Sequence, residues 1–351
     1  MSRTTRAALV TGVMGAMLAY AGAAFAANTG TLAVWHTPMA LGGSSSTTIH
    51  VNLPKTSDPV VRLAIYAPDG YGTTLNQPAG AKIGTVSATA YSHDTQLTLP
   101  LDGTVDTDDP AKYTANACSP GTHAAVWLLN LSALGQTLQV PLYVDATTGS
   151  ETLLGAYRLI ICLPPPDVPQ GTAGRSAFGA QLLDAQFTVN GVFKTPSVGG
   201  ALRWESLFTP YNPGQGTPNL AGTFEARALV SLPVSLTLAG TKKNGAYGLK
   251  GKLSEGGIPA AGFAVTIQSG ASATKLAKAG SATTKIDGSW SSTGRLKSKK
   301  TTYFRATAGT KERDFAQGCQ NPLPATVAPA GCASATLAAW TASSAVVRVK
   351  P

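Results

Sequence analysis

Charge is scarce in this chain. Only 13% of its 351 residues are Asp, Glu, Lys or Arg, and only 7% are aromatic. Long amphipathic helices rich in Glu, Lys and Leu are missing, which excludes a helical bundle. There is no C-x-x-C pair, so zinc and thiol redox chemistry have little support. No G-x-S-x-G elbow is present to carry a serine nucleophile, and "LGGSSST" is its nearest approach. The four histidines, His36, His50, His93 and His123, are scattered, and no H-E-x-x-H or H-x-H spacing puts two on one face. His36 and His50 fall in strand-like segments and read as hydrogen-bonded structural residues. No second hydrophobic span follows the leader, and no helix-turn-helix, zinc finger or aromatic-rich RNA-binding motif is visible. The reading is of a protein that is not an enzyme, with no cofactor, no dedicated nucleic-acid motif and no membrane span once its leader is cleaved.

What the chain does have is Thr, Ser, Ala, 38 glycines and 23 prolines, a composition suited to many short strands and turns. Residues 1–26 have Arg3 and Arg6, an apolar stretch from Ala7 to about Tyr20, and Ala24-Phe25-Ala26 at the end. This is the pattern of a secretory signal peptide cut before Ala27. The expected location is therefore secreted, extracellular or at the cell surface. The mature chain of about 325 residues suggests two domains, or three small ones.

Four cysteines in an exported chain read as disulfides. Three pairings are open, and proximity in sequence favours Cys118–Cys162 and Cys319–Cys332.

From Thr31 short apolar runs alternate with turn residues: "TLAVWHT", "TTIHVNL", "VVRLAIYAP", "THAAVWLLNL", "LQVPLYVD". "LGAYRLIICLPPP" is almost wholly apolar and predicts a strand buried on both faces. Residues 27–240 read as one β-rich, sandwich-like domain, with a candidate split near 164–174 at "PPPDVPQG". "GTKKNG" marks a linker at 241–245. Beyond it, Tyr247, Leu249, Gly251 and Leu253 recur in period two, as do Phe263, Val265 and Ile267. Asp287-Gly288 is a turn signal, and Trp290 points into a core.

"GKLSEGGIPAAGFAVTI", "TTKIDGSWSS" and "TTYFRATA" follow one another as strand, turn and strand. Residues 246–351 thereby resemble the bacterial Ig-like modules of secreted surface proteins, and the carboxypeptidase-regulatory-like modules of similar shape. The resemblance implies a C-terminal Ig-like β-sandwich acting as spacer, adhesive or scaffold, with no shared catalytic residues. The segment between Cys319 and Cys332 is an insertion relative to that pattern. The fold class is all-β.

Charge divides the molecule. Residues 27–241 have nine Lys/Arg against thirteen Asp/Glu, a net −4, while residues 242–351 have sixteen against four, a net +12. A basic surface concentrates anionic partners, so anionic cell-wall polymers, or other surface proteins, are the expected partners. Arg295, Lys297, Lys299 and Lys300 form the candidate patch.

Two rival readings attach to other residues. Exposed Trp side chains can stack on sugars, and Trp204, flanked by Arg203 and Glu205, is the candidate for exposure, with Trp290 second. The remaining tryptophans read as core. Asp102, Asp106, Asp108 and Asp109 in "LDGTVDTDDP" form the one carboxylate cluster and a weak Ca²⁺ candidate, lacking the D-x-D-x-D-G spacing. A hydrolase of unrecognised type would require a His, an Asp and a Ser to converge.

Overall fold

The computed structural model describes residues 28–133, 135–243, 245–295, 301–315 and 334–350. The body begins with β1 (Thr31–Thr37), β2 (Ser44–Asn52), β3 (Val60–Ala67), β4 (Gly72–Thr73), β5 (Lys82–Ser92) and β6 (Thr98–Asp108). It continues with β7 (Ala125–Ala133), β8 (Gln136–Ala146), β9 (Tyr157–Cys162), β10 (Ala180–Lys194), β11 (Gly200–Pro210) and β12 (Phe224–Leu232). The next strands are β13 (Val234–Leu236), β14 (Ala239–Lys243), β15 (Ala246–Glu255), β16 (Ile258–Pro259), β17 (Ala264–Gly270) and β18 (Ala277–Thr283). The last are β19 (Ser289–Arg295), β20 (Thr302–Thr310), β21 (Arg313–Phe315), β22 (Ser334–Leu337), β23 (Trp340–Ser343) and β24 (Val347–Val349). The fold is all-β, as the composition predicts.

The body is one large sheet in the order β1-β2-β10-β5-β6-β7-β8-β9-β3-β11-β12-β22-β21, with β4 beside β10. It curls until β1 packs against β12 and β22. Alternation along each strand fills the interior. Leu32 and Val34, Ile49 and Val51, Leu63 and Ile65, and Phe187 and Val189 all enter one core. β9 also buries its other face. Leu159 and Ile161 point inward, while Ile160 joins Ala64, Tyr66, Val126 and Tyr143 in a second cluster. Half-buried Cys118 and Cys162 pack on that cluster and are bridged, at a Cα–Cα distance of 6.2 Å. The apolar residues 159–161 of "YRLIIC" are therefore covered on both sides, while Arg158 reaches out to Asp145 and Glu151.

The C-terminal part is a sandwich of two five-stranded sheets. One is built on β15, which pairs with β13, β14, β16 and β19. The other runs β18-β17-β20-β23, with β24 on β20. Leu249, Leu253 and Trp290 meet Val265, Ile267, Phe304 and Trp340 in the space between. At the Asp287-Gly288 step, Gly288 takes φ +71°. The Asp287 carboxylate accepts the Ser289 backbone N–H at 3.0 Å, which sets the start of β19.

Two expectations about organisation change. Residues 241–245 were expected to be a linker, but 239–243 are a strand, one arm of the β14–β15 hairpin. Asn-Gly is a strong hairpin signal, and it outweighs the two lysines that suggested a solvated connector. The chain beyond 246 also does not keep to itself. β22 pairs in parallel with β12, and β21 pairs with β22, so both belong to the body sheet. The second expected disulfide, Cys319–Cys332, lies outside the described residues.

Candidate functional site

The sandwich carries a basic outer face on β15 and β19. Antiparallel partners share a face, and the register pairs Lys250 with Ser291, Lys252 with Ser289 and Ala246 with Arg295. Period two sends Leu249, Leu253 and Trp290 inward and leaves Lys250, Lys252 and Arg295 exposed. Hydroxyls of Ser291 and Thr293 lie between the cations on the same face. Asp287 sits beside this row. Its carboxyl is held below the ordinary carboxylate range, first by hydrogen bonds from Ser289 and also by the charge of Lys252. A row of ammonium and guanidinium groups separated by hydroxyls is an array of donors, suited to holding anions rather than to moving protons.

Of the expected patch, Arg295 is the last residue of β19 and lies on this face. Lys297, Lys299 and Lys300 lie outside the described residues. The neighbours that the register adds, Lys250 and Lys252, were not singled out from the sequence, although their period-two spacing within "GLKGKLSE" was visible.

The sugar-stacking candidates are overturned. Trp204 is 0% exposed and Trp290 1%. Trp204 packs edge-on against Tyr71 and Phe193, with ring centroids 5.2 and 5.5 Å away. Its charged neighbours point to the opposite side of β11, where Glu205 and Glu225 pair with Arg203 and Arg227. Burial, followed by the neighbouring Glu225 charge, holds the Glu205 carboxyl above its ordinary range.

The carboxylate cluster does not assemble either. Asp102, Asp106 and Asp108 are spread along β6, while Asp109 caps a short turn at Ala111. Asp106 is taken by Thr104 and Asn130. Asp108 is taken by Lys112 and Tyr113, and its carboxyl is pulled down to about 2, chiefly by Lys112. Among the described residues no group of three His, Cys, Asp or Glu forms a metal site.

The histidines have structural partners. His36 is buried, with Nδ1 3.0 Å from the Thr47 hydroxyl and Nε2 2.7 Å from the Tyr71 hydroxyl. Burial pushes its pKa down to about 4. His123 comes nearest to a hydrolytic arrangement, with Nδ1 3.0 Å from Asp145. Its Nε2, however, faces the Ser119 carbonyl at 3.1 Å, not that residue's hydroxyl. Both ring nitrogens are spent on acceptors, so neither is free to take a proton from a nucleophile. His50 is a hydrogen-bonded structural residue, as expected of its strand. Its Nε2 lies 2.7 Å from Asp184, and its Nδ1 lies 3.1 Å from Glu312 of the C-terminal part.

No family model matches the sequence, and no curated protein matches it. Among solved structures, the chain is similar to the full-length major pilin SpaD of Corynebacterium diphtheriae, with 13% identity and a TM-score of 0.24 over 80% of this chain. It spans 56% of that pilin's length. A tetra-tandem repeat from the extending region of a large adhesion protein gives 13% identity and a TM-score of 0.23, covering 92% of this chain and 99% of that one. Three N-terminal domains of the outer capsid protein Hoc of bacteriophage RB49 give 10% and 0.21, covering 91% of this chain and 100% of that one. At such TM-scores these likenesses carry no argument about topology or activity.

Proposed function

We propose that the chain is an exported, non-enzymatic structural or adhesive protein of the cell surface, whose basic C-terminal sandwich holds anionic envelope polymers. The observation that carries this reading is the charge division. A body of net −4 is joined to a C-terminal part of net +12, whose lysines 250 and 252 and Arg295 share one exposed sheet face. Opposite charge on a polymer is concentrated at such a face and released by salt. The leader-like residues 1–26 and the Cys118–Cys162 bridge support export into an oxidising compartment. The sandwich serves as an Ig-like or carboxypeptidase-regulatory-like module in this reading, and Lys297, Lys299 and Lys300 add to the positive charge of its sequence.

Fractionation of cells making the full chain tests this. The expected product begins near Ala27, sediments with the envelope, and is released by high salt. A product retained in the cytoplasm, or one held on the envelope equally well in high salt, contradicts it.

A further inference from the structure

A shallow groove of about 480 Å³ opens on the basic sheet between Thr237–Ala239 and β19. Lys250, Lys252 and Lys285 rim it, Ser289 and Ser291 add hydroxyls, and Gly251 and Trp290 close its floor, the indole being turned to the core side of the sheet. Gly251 makes that floor possible. A Cβ there would lie 1.9 Å from the Thr237 carbonyl oxygen and 2.7 Å from the Trp290 indole nitrogen. Only glycine lets the neighbouring backbone and the indole approach this closely.

The groove is rich in donors. Its three ammonium-bearing side chains are exposed at the rim. The Trp290 side chain, 1% exposed, is turned to the core side of the sheet, so the donors on the groove side are the ammonium groups and the serine hydroxyls. The Asp287 carboxylate beside the groove is already engaged by the Ser289 amide. The Thr237 hydroxyl is used in turn, accepting from the Lys252 N–H at 2.8 Å.

We infer that this groove is a phosphate-recognition site for an extended phosphate polymer, an assignment that rests on the anionic-polymer reading above and gives it a place and a chemistry. Lys250 and Lys252 stand two residues apart on one face, about 7 Å along the strand. Lys285 approaches from the connection before β19. One small anion spans two such charges poorly, whereas a chain of phosphates meets all three. Lysine is a compact charge with three donors, suited to phosphate oxygens.

The test uses the full mature chain and fluorescently labelled inorganic polyphosphate, read by anisotropy at low salt. The triple variant Lys250→Gln/Lys252→Gln/Lys285→Gln is expected to weaken binding about tenfold or more, from the loss of charge-assisted contacts. A control triple, Lys275→Gln/Lys278→Gln/Lys311→Gln, removes exposed lysines of the opposite sheet and its connections. It is expected to change binding less than about twofold, since distant charges are screened. Among the indole N–H resonances of the five tryptophans, that of Trp290, assigned through Trp290→Phe, should move most on addition of polyphosphate.

Equal losses in the two triples, or an unmoved Trp290 resonance, overturn the groove while leaving an anionic surface in place. A carboxylate polymer, polyglutamate, binding as tightly overturns the phosphate assignment. If the wild-type chain does not bind polyphosphate and also fails to bind anionic wall polymer, the function proposed above falls with it.

Discussion

Removing the Cys118–Cys162 bridge is a perturbation whose cost can be worked from the structure. The bridge closes a loop of sequence separation 44. The chain-entropy relation for a loop of that length gives about 13 cal/mol/K, or about 4 kcal/mol at 25 °C. The loop contains β7, β8 and most of β9, together with the segment between β6 and β7 that carries Cys118. That segment is held otherwise by Tyr113 on Asp108 and by His123 on Asp145. The suitable variant is Cys118→Ala/Cys162→Ala, which leaves Cys319 and Cys332 unchanged. It should lose about 3–4 kcal/mol, lowering the urea midpoint by about 1 M for a chain of this size. Backbone amides between residues 110 and 124 should exchange faster, because the segment would be held by hydrogen bonds alone. A midpoint within about 0.5 kcal/mol of wild type, the range of an ordinary surface change, would refute the reasoning.

His50 should make stability pH-dependent at the alkaline end. Its pKa is raised to about 9, first by the hydrogen bond to Glu312 and also by Asp184. A raised histidine stabilises fully below its unfolded value near 6.5, and that contribution is lost as pH rises through 9. Allowing for water at a partly exposed site, this amounts to about 1–2 kcal/mol. Thermal midpoints of wild type and His50→Gln should differ at pH 6 and converge by pH 10; a gap that does not change with pH counts against the ion pairs. Trp204→Ala, in the fully buried aromatic cluster, should cost about 3–5 kcal/mol in urea unfolding. It should leave retention on carbohydrate columns unchanged, and a specific loss of retention would restore the sugar-binding reading.

Much of the frame is legible in the sequence because a strand reveals its faces locally. Val265 and Ile267 in period two, and the apolar residues 159–161 of "YRLIIC", encode burial within a few residues. The Cys118–Cys162 pair was legible from proximity in sequence. Trp204 was misread for a reason that the same periodicity supplies: in a strand, charged residues on either side of a tryptophan face the other way, so Arg203 and Glu205 argue for its burial. The parallel pairing of β12 with β22 joins residues more than a hundred positions apart, and no local pattern records such a partner. His50 meeting Glu312, at a sequence separation of 262, is beyond local reading for the same reason. The cationic row was only partly legible. Lys250 and Lys252 are visibly alternate, but their alignment with Arg295 depends on the register of β15 against β19.

The most direct test of the account is the salt dependence of binding between the full mature chain and purified cell-wall material, prepared with and without its anionic polymers. The full chain is required because β21 and β22 pair within the body sheet, so residues 242–351 are not a separate folding unit. The account predicts binding that requires the anionic polymer and weakens steeply as salt shortens the screening length from about 30 Å at 0.01 M to about 8 Å at 0.15 M. Binding that survives removal of the polymer, or that is indifferent to salt, would contradict it.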